Sequence, residues 1–335
     1  MIYLNMPVGD CYGWAICGKN LLKELSKITE VRYCAEAFPI ALRDKETADL
    51  VEKTEIRMLG DVKFPFIHTI NGECKPHVKY NGIPNIGYMF YEAEVIPPDY
   101  VKSLNRNFDV VVGGSKWNED VLVSNGVKNA TSIPQGVDRE IFKPLEKTEY
   151  KDKFVIFSGG KWEPRKGQDV VVKAVSYLQE KYKDVMLIAS WGNLFSQELD
   201  SEMREMAMKL LNGKRTVLMP IIPQKSMPEV IRQTDIGVFP NRAEGGTNLA
   251  LMEYLACGRP VVATMTTGQK DVLDYGYTYS IDPKSELDST IAGLEEAYRS
   301  RTLLPVMGSI ASDKMDYFSW QQTANKFFRL CEVSH

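Results

Sequence analysis

Apolar and polar positions alternate over the opening "MIYLNMPV", as in a half-buried strand. They give way at Gly9, Gly13 and Gly18 to "NLLKELSK", where Leu21, Leu22 and Leu25 take up a helical period. The pattern predicts a strand, a glycine loop and a helix. Three further runs read as short strands: "KFPFIHTI" (63–70), "IPNIGYMF" (83–90) and "FDVVVGGS" (108–115). The stretches "PPDYVKSLNRN" and "KWNEDVLVSNG" are long enough for helices, so the first part of the chain is expected to form a parallel sheet with crossover helices.

The segment "SIPQGVDREIFKPLEKTEYKDK" (132–153) is turn-rich, with Pro134, Gly136 and Pro144 interrupting any period, and a domain boundary is expected there, at 143/144. A second cycle follows. "KFVIFSGG", "VMLIASWGN", "DIGVFPN" and "PVVAT" read as strands, and "GQDVVVKAVSYLQEKY", "MPEVIRQT" and "NLALMEYLACG" as helices. The expected class is α/β: two Rossmann-like, doubly wound parallel-sheet domains, 1–143 and 144–316, facing a central cleft. Ligands are expected beyond the carboxyl ends of the strands. Residues 317–335, with "SWQQTANKFFRLCEV", are expected to form a terminal helix packing back towards the N-terminal domain.

Composition narrows the partners. With 335 residues, 44% hydrophobic and 25% charged, the chain reads as globular material of two domains. A formal net charge of -3 supplies no general basic footprint for nucleic acid and favours small neutral or phosphorylated partners. Cys11, Cys17, Cys34, Cys74, Cys257 and Cys331 are scattered without metal-ligand spacing, and the N-terminus has no basic-then-apolar leader, so a reduced, cytoplasmic protein is expected. No apolar run approaches the ~20 residues of a spanning helix, which leaves peripheral membrane contact open.

Two segments carry candidate chemistry. In "AEGGTNLALMEYLACGRPVV" (243–262), Gly245 and Gly246 follow a strand and precede a helix starting near Asn248, so free backbone N–H groups suit an anion there. Glu244 overlooks that loop. Glu253 lies among Leu249, Leu251, Met252, Leu255 and Ala256, which implies a buried helix where a carboxylate needs a partner, such as a vicinal diol. The competing reading is a pair of solvated surface glutamates. In "SGGKWEPRKGQD" (158–169), Lys161, Arg165 and Lys166 stand beside Gly159, Gly160 and Gly167; cations beside a close-approaching backbone fit a diphosphate, and the competing reading is a solvated basic turn.

Together "GGKWEPRKGQDVVVKA", "PNRAEGGTNLALMEYLACGRPVVA" and "SIPQGVDREIFKP" resemble the retaining glycosyltransferases of family 4, within the glycosyl transferases group 1. The resemblance implies the GT-B fold and a nucleotide-diphosphate sugar as donor. It also implies that Glu253 holds the donor ribose hydroxyls, that Glu244 stands beside the transferred sugar, and that Lys166, with Lys161 or Arg165, neutralises the diphosphate. Gly245, Gly246, Thr247 and Asn248 match the loop that holds sugar and phosphate, and Gly13 matches the glycine that lets the first domain approach the donor. Two departures stand out. The interval from Glu244 to Glu253 is one residue longer than the family's usual one. Where many members carry a histidine, this chain has Phe90, Tyr91 and Glu92. Its histidines are His68, His77 and His335. Trp14, His68 and Glu92 are the acceptor-side candidates, with His68 open to a structural role and Glu92 to a turn or salt-bridge role.

No two aspartates are separated by a single residue, so fixed cations and a helix N-terminus, rather than a metal, are expected to neutralise the leaving group. The expected activity is retaining, metal-independent and cofactor-free sugar transfer, with Glu244, Lys161 and Lys166 catalytic. The acceptor hydroxyl stays open between glycan, lipid-linked sugar, protein, nucleic acid and small metabolite. A GT-B epimerase or phosphorylase, and a nucleotide-sugar-binding module without catalysis, are the alternatives; the missing histidine favours the module.

Overall fold

The computed structural model describes all residues except 36, 37, 39–42, 194, 195, 221 and 333–335, and excepting also the side chains of 197 and 199; His335 therefore lies outside the described residues. The chain forms two compact units. One comprises Met1–Gly136, Gly245–Thr247 and Phe318–His335; the other comprises Val137–Glu244 and Asn248–Tyr317.

In the first unit, β1 (Ile2–Asn5), β2 (Val31–Tyr33), β3 (Phe66–Thr69), β4 (Asn85–Met89), β5 (Val110–Gly113) and β6 (Ala130–Ser132) form one sheet in the order β2-β1-β3-β4-β5-β6. Every pairing is parallel. The chain leaves β1 into the glycine loop and enters the helix Gly13–Ser26, whose inner face includes Ala15, Leu21, Leu22 and Leu25. That helix lies close against the segment just after β1: a Cβ on Gly18 would stand 2.1 Å from the Pro7 carbonyl oxygen, so only glycine fits. The terminal helix Trp320–Glu332 packs on Gly13–Ser26, with the Phe327 ring 5.0 Å from that of Tyr88 and Thr323 Oγ1 donating to Pro134 O at 3.0 Å.

In the second unit, β7 (Phe154–Lys161), β8 (Val185–Gly192), β9 (Thr216–Met219), β10 (Ile236–Phe239), β11 (Val261–Thr264) and β12 (Thr278–Ile281) pair in the order β12-β11-β10-β7-β8-β9, again all parallel. β8, β10 and β11 are buried along their whole length, which is why their sequences read as near-continuous apolar runs. From β7 the chain builds outwards through β8 and β9, then returns to build β10, β11 and β12 on the other side. β7 and β10 thus flank the point where strand order reverses, the place where open α/β sheets gather ligands at strand carboxyl ends.

The units divide at Gly136/Val137, upstream of the expected 143/144. Residues 137–143 belong with the second unit because Phe142 is wholly buried and Arg139 donates to Phe142 O, Ala256 O and Ser312 Oγ at 3.0, 2.7 and 2.9 Å. Among the described residues no helix is long and apolar enough to cross a membrane.

Candidate functional site

The second unit places the basic turn at the end of β7. Trp162 anchors it: the indole is wholly buried, 4.5 Å from the Trp191 ring, and its backbone is tied to β8 through Trp162 N to Gly192 O (3.1 Å) and Asn193 Nδ2 to Trp162 O (3.0 Å). Pro164–Lys166 then makes a single 3₁₀ turn. Gly167, at φ 69° and ψ 24°, reverses the chain in the left-handed region and opens the helix Gln168–Lys181.

β10 delivers its loop to the same place. Glu244 is only 5% exposed. Its Oε1 accepts from Lys166 Nζ and from Asn241 Nδ2, and its Oε2 stands 3.2 Å from Arg165 Nη1. Glu244 N donates to Thr267 Oγ1 at 3.0 Å, and Gly268 N donates to Glu244 O at 2.9 Å. On the other flank, Glu163 Oε1 lies 2.6 Å from Lys161 Nζ and Oε2 lies 2.7 Å from Arg165 Nη2. Burial raises the Glu163 pKa, but the Lys161 hydrogen bond and the Arg165 and Lys161 charges outweigh it and hold the carboxyl below its usual range. The cations expected from the sequence are therefore brought together, each already facing a carboxylate.

Arg242 ties the arrangement to the scaffold. Its backbone N donates to Arg165 O at 2.7 Å and its Nη1 donates to Pro164 O. The guanidinium also forks onto Asp169 through Nη1 and Nη2, both at 3.1 Å, and onto Glu286 through Nε and Nη2. Nothing local marks this arginine, whose partners are contributed by β7's turn and by the helices Gln168–Lys181 and Glu286–Arg299.

Glu253 is the fifth residue of the helix Leu249–Ala256 and 9% exposed. Its Oε1 accepts from Gln224 Nε2 at 2.6 Å, on the 3₁₀ turn Gln224–Ser226. Both glutamates are buried and partnered, which removes the surface-glutamate reading. Asn248 precedes the helix at φ 63°, in the left-handed conformation asparagine tolerates, and its Nδ2 donates to Gln269 Oε1 at 3.2 Å. Gly245–Thr247 pack within the first unit, where Ser115 Oγ donates to Gly245 O at 2.8 Å and Thr247 N donates to Gln135 Oε1 at 3.3 Å.

The other expected residues also lie in the first unit. Gly13 is exposed and starts its helix without a side-chain cap from Tyr12. The loop before it is held by a buried ion pair, Lys19 Nζ to Asp10 Oδ1 at 2.6 Å, that sequence reading missed. Trp14 is half-buried against Phe90, ring centroids 4.3 Å apart, and Glu92 is exposed. His68 sits inside the sheet: it is wholly buried, 3.9 Å from the Phe66 ring, with Nε2 hydrogen-bonded to Asn85 Oδ1 at 2.8 Å. Burial keeps the imidazole neutral and pushes its pKa down to about 4. Unfolded, it titrates near 6.5. The folded protein is thus expected to lose up to about 3 kcal/mol as pH falls from 6.5 towards 4, because only the unfolded chain gains the proton in that window. Urea unfolding from pH 7 to 4 of wild type and His68→Gln measures the difference; parallel curves would rule the prediction out.

The sequence model of the glycosyl transferases group 1 matches residues 139–312, just over half of the chain. The protein belongs to this family. The match contains Lys161, Arg165, Lys166, Glu244 and Glu253, and leaves Gly13, Trp14, His68 and Glu92 outside. Among relatives of this group 1 chain, a GDP-mannose-dependent alpha-(1-6)-phosphatidylinositol monomannoside mannosyltransferase of Mycolicibacterium smegmatis is 24% identical, over 66% of this chain and 61% of that protein. A D-inositol 3-phosphate glycosyltransferase of Paenarthrobacter aurescens is 26% identical, over 64% and 55%. The chain thus spans less than two thirds of the length of these two curated relatives. Among solved structures, sucrose-phosphate synthase from Thermosynechococcus elongatus superposes with a TM-score of 0.76 at 16% identity, over 98% of this chain and 97% of that one. The Anabaena protein HepE, in complex with UDP and glucose, gives 0.70 at 15%, over 100% and 99%. These likenesses establish the two-domain GT-B fold for this group 1 chain, in keeping with its two six-stranded parallel sheets.

Proposed function

We propose that the protein is a retaining, metal-independent glycosyltransferase that moves a sugar from a nucleotide-diphosphate sugar to an acceptor hydroxyl. The observation that carries this reading is the convergence of Lys161, Arg165 and Lys166 with the buried Glu244 at the carboxyl ends of β7 and β10, where the strand order reverses. Negative charge accumulates on the diphosphate as the glycosidic bond breaks, and the three cations meet it there, on a turn whose backbone at Pro164 and Arg165 is clamped by Arg242. Glu244, fixed from both sides, orients the transferred sugar, and Glu253 takes the ribose hydroxyls. No metal or organic cofactor enters this scheme. The donor class agrees with the mannosyltransferase named as GDP-mannose-dependent and with the HepE structure holding UDP and glucose.

A panel of nucleotide sugars tests the proposal through nucleotide release and donor binding; neither with any donor would overturn it. Glu253→Gln is expected to weaken binding of the nucleoside diphosphate by about 1–3 kcal/mol through one impaired charge-assisted hydrogen bond. Glu244→Gln is expected to lower turnover with less effect on nucleotide affinity. Calorimetric affinities and initial rates for the two variants separate the roles, and wild-type values for both would remove the assignment.

A further inference from the structure

The site's charges form an alternating chain, Lys161–Glu163–Arg165–Glu244–Lys166, with three cations and two carboxylates. The two carboxylates are held very differently. The Glu244 side chain is 7% exposed, and its Oε1 is gripped by both Lys166 and Asn241. The Glu163 side chain is 22% exposed, and the Lys161 side chain that pairs with it is 38% exposed. The other end of the Glu163 pairing is an ion pair to Arg165 at 2.7 Å in which buried Oε2 lacks hydrogen-bond alignment. A charge contact without a directed hydrogen bond is the weaker kind.

We infer that Glu163 is a displaceable internal counter-ion that competes with a ligand phosphate for Lys161 and Arg165. The inference rests on the reading of this turn as the diphosphate cradle. An arriving diphosphate takes the cations as Glu163 swings into solvent, and the carboxylate re-forms its pairs as the nucleoside diphosphate leaves. No covalent step is involved. With the competitor built in, two of the cradle's three positive charges stay compensated between turnovers and the product's hold is weakened. Glu163 is then a residue that sets donor and product affinity through the two cations, without touching the reacting atoms.

The test is calorimetric titration of inorganic pyrophosphate into the full chain, wild type and Glu163→Gln. The amide keeps the size and removes the charge, so the variant is expected to bind pyrophosphate roughly three- to tenfold more tightly, a change within the range of losing two partly exposed competing ion pairs together. A purely supporting role for Glu163, as a strut that positions Lys161 and Arg165, predicts the opposite sign. Wild-type binding with unchanged or weaker binding by the variant overturns the inference and leaves the cradle reading standing. No binding by either protein overturns both. Glu163→Asp, which keeps the charge but shortens its reach, is expected to fall between the two, and it carries the test on the same criteria if the glutamine variant does not fold.

Discussion

Lys166→Ala is expected to lower turnover of a nucleotide-sugar donor by about two to three orders of magnitude, the usual scale for removing one preorganised group that meets developing charge. Lys166 is the most enclosed of the three cations, with its side chain 13% exposed, and its ammonium shares Glu244 Oε1 with Asn241. On the proposed reading the alanine variant loses that charge at the leaving group, and it also deprives the buried Glu244 carboxylate of its nearest cation, so both proposed roles are impaired together. Initial rates of nucleotide release, alongside a circular dichroism melt to confirm folding, measure the effect. A loss of less than tenfold in a folded variant removes Lys166 from the chemistry.

Gly167→Ala is expected to destabilise the second unit by about 2–4 kcal/mol, combining left-handed strain with a steric clash. At φ 69° a side chain is strained whatever the space, and here the added Cβ would stand 2.3 Å from the Pro240 carbonyl oxygen, which is backbone and cannot turn away. Relief requires moving either the basic turn or the end of β10, so pyrophosphate binding is expected to fall along with stability. Urea unfolding followed by tryptophan fluorescence reports the first effect and calorimetry the second. A shift below about 0.5 kcal/mol, the range of an ordinary surface substitution, contradicts the steric argument.

The central strands were legible because both their faces are covered: "VMLIASWG" and "VVAT" have to be apolar throughout, and a run of that kind is hard to mistake. β2, β6, β9 and β12 escaped notice for the opposite reason. β6 and β9 are half-buried at sheet ends, β12 at its sheet's other end is buried only at Thr278 and Ile281, and β2 is three residues long, so none carries a continuous run or a full alternation. The expected helix "MPEVIRQT" is confined to Met227–Ile231, with the 3₁₀ turn Gln224–Ser226 before it. In the site, glycines beside cations after a strand were readable from composition and order alone. The pairing of Lys161 with Glu163 was not, since a nearby carboxylate in a turn reads equally well as solvated. Gln224 and Arg242 were invisible because each acts on a partner distant in the chain, and no local spacing records a meeting that only the folded sheet brings about.

Arg242 makes the basic turn's shape a shared property of three segments. One guanidinium, with its side chain 35% exposed, joins the 3₁₀ turn to two helices by charge. Such a rivet is loosened by ionic strength while the apolar core beneath it is tightened, since screening weakens half-exposed ion pairs and excluded salts favour burial. In concentrated sulfate the protein is therefore expected to stay folded with a raised melting point while the basic turn slackens, so that any donor turnover falls and returns on dilution.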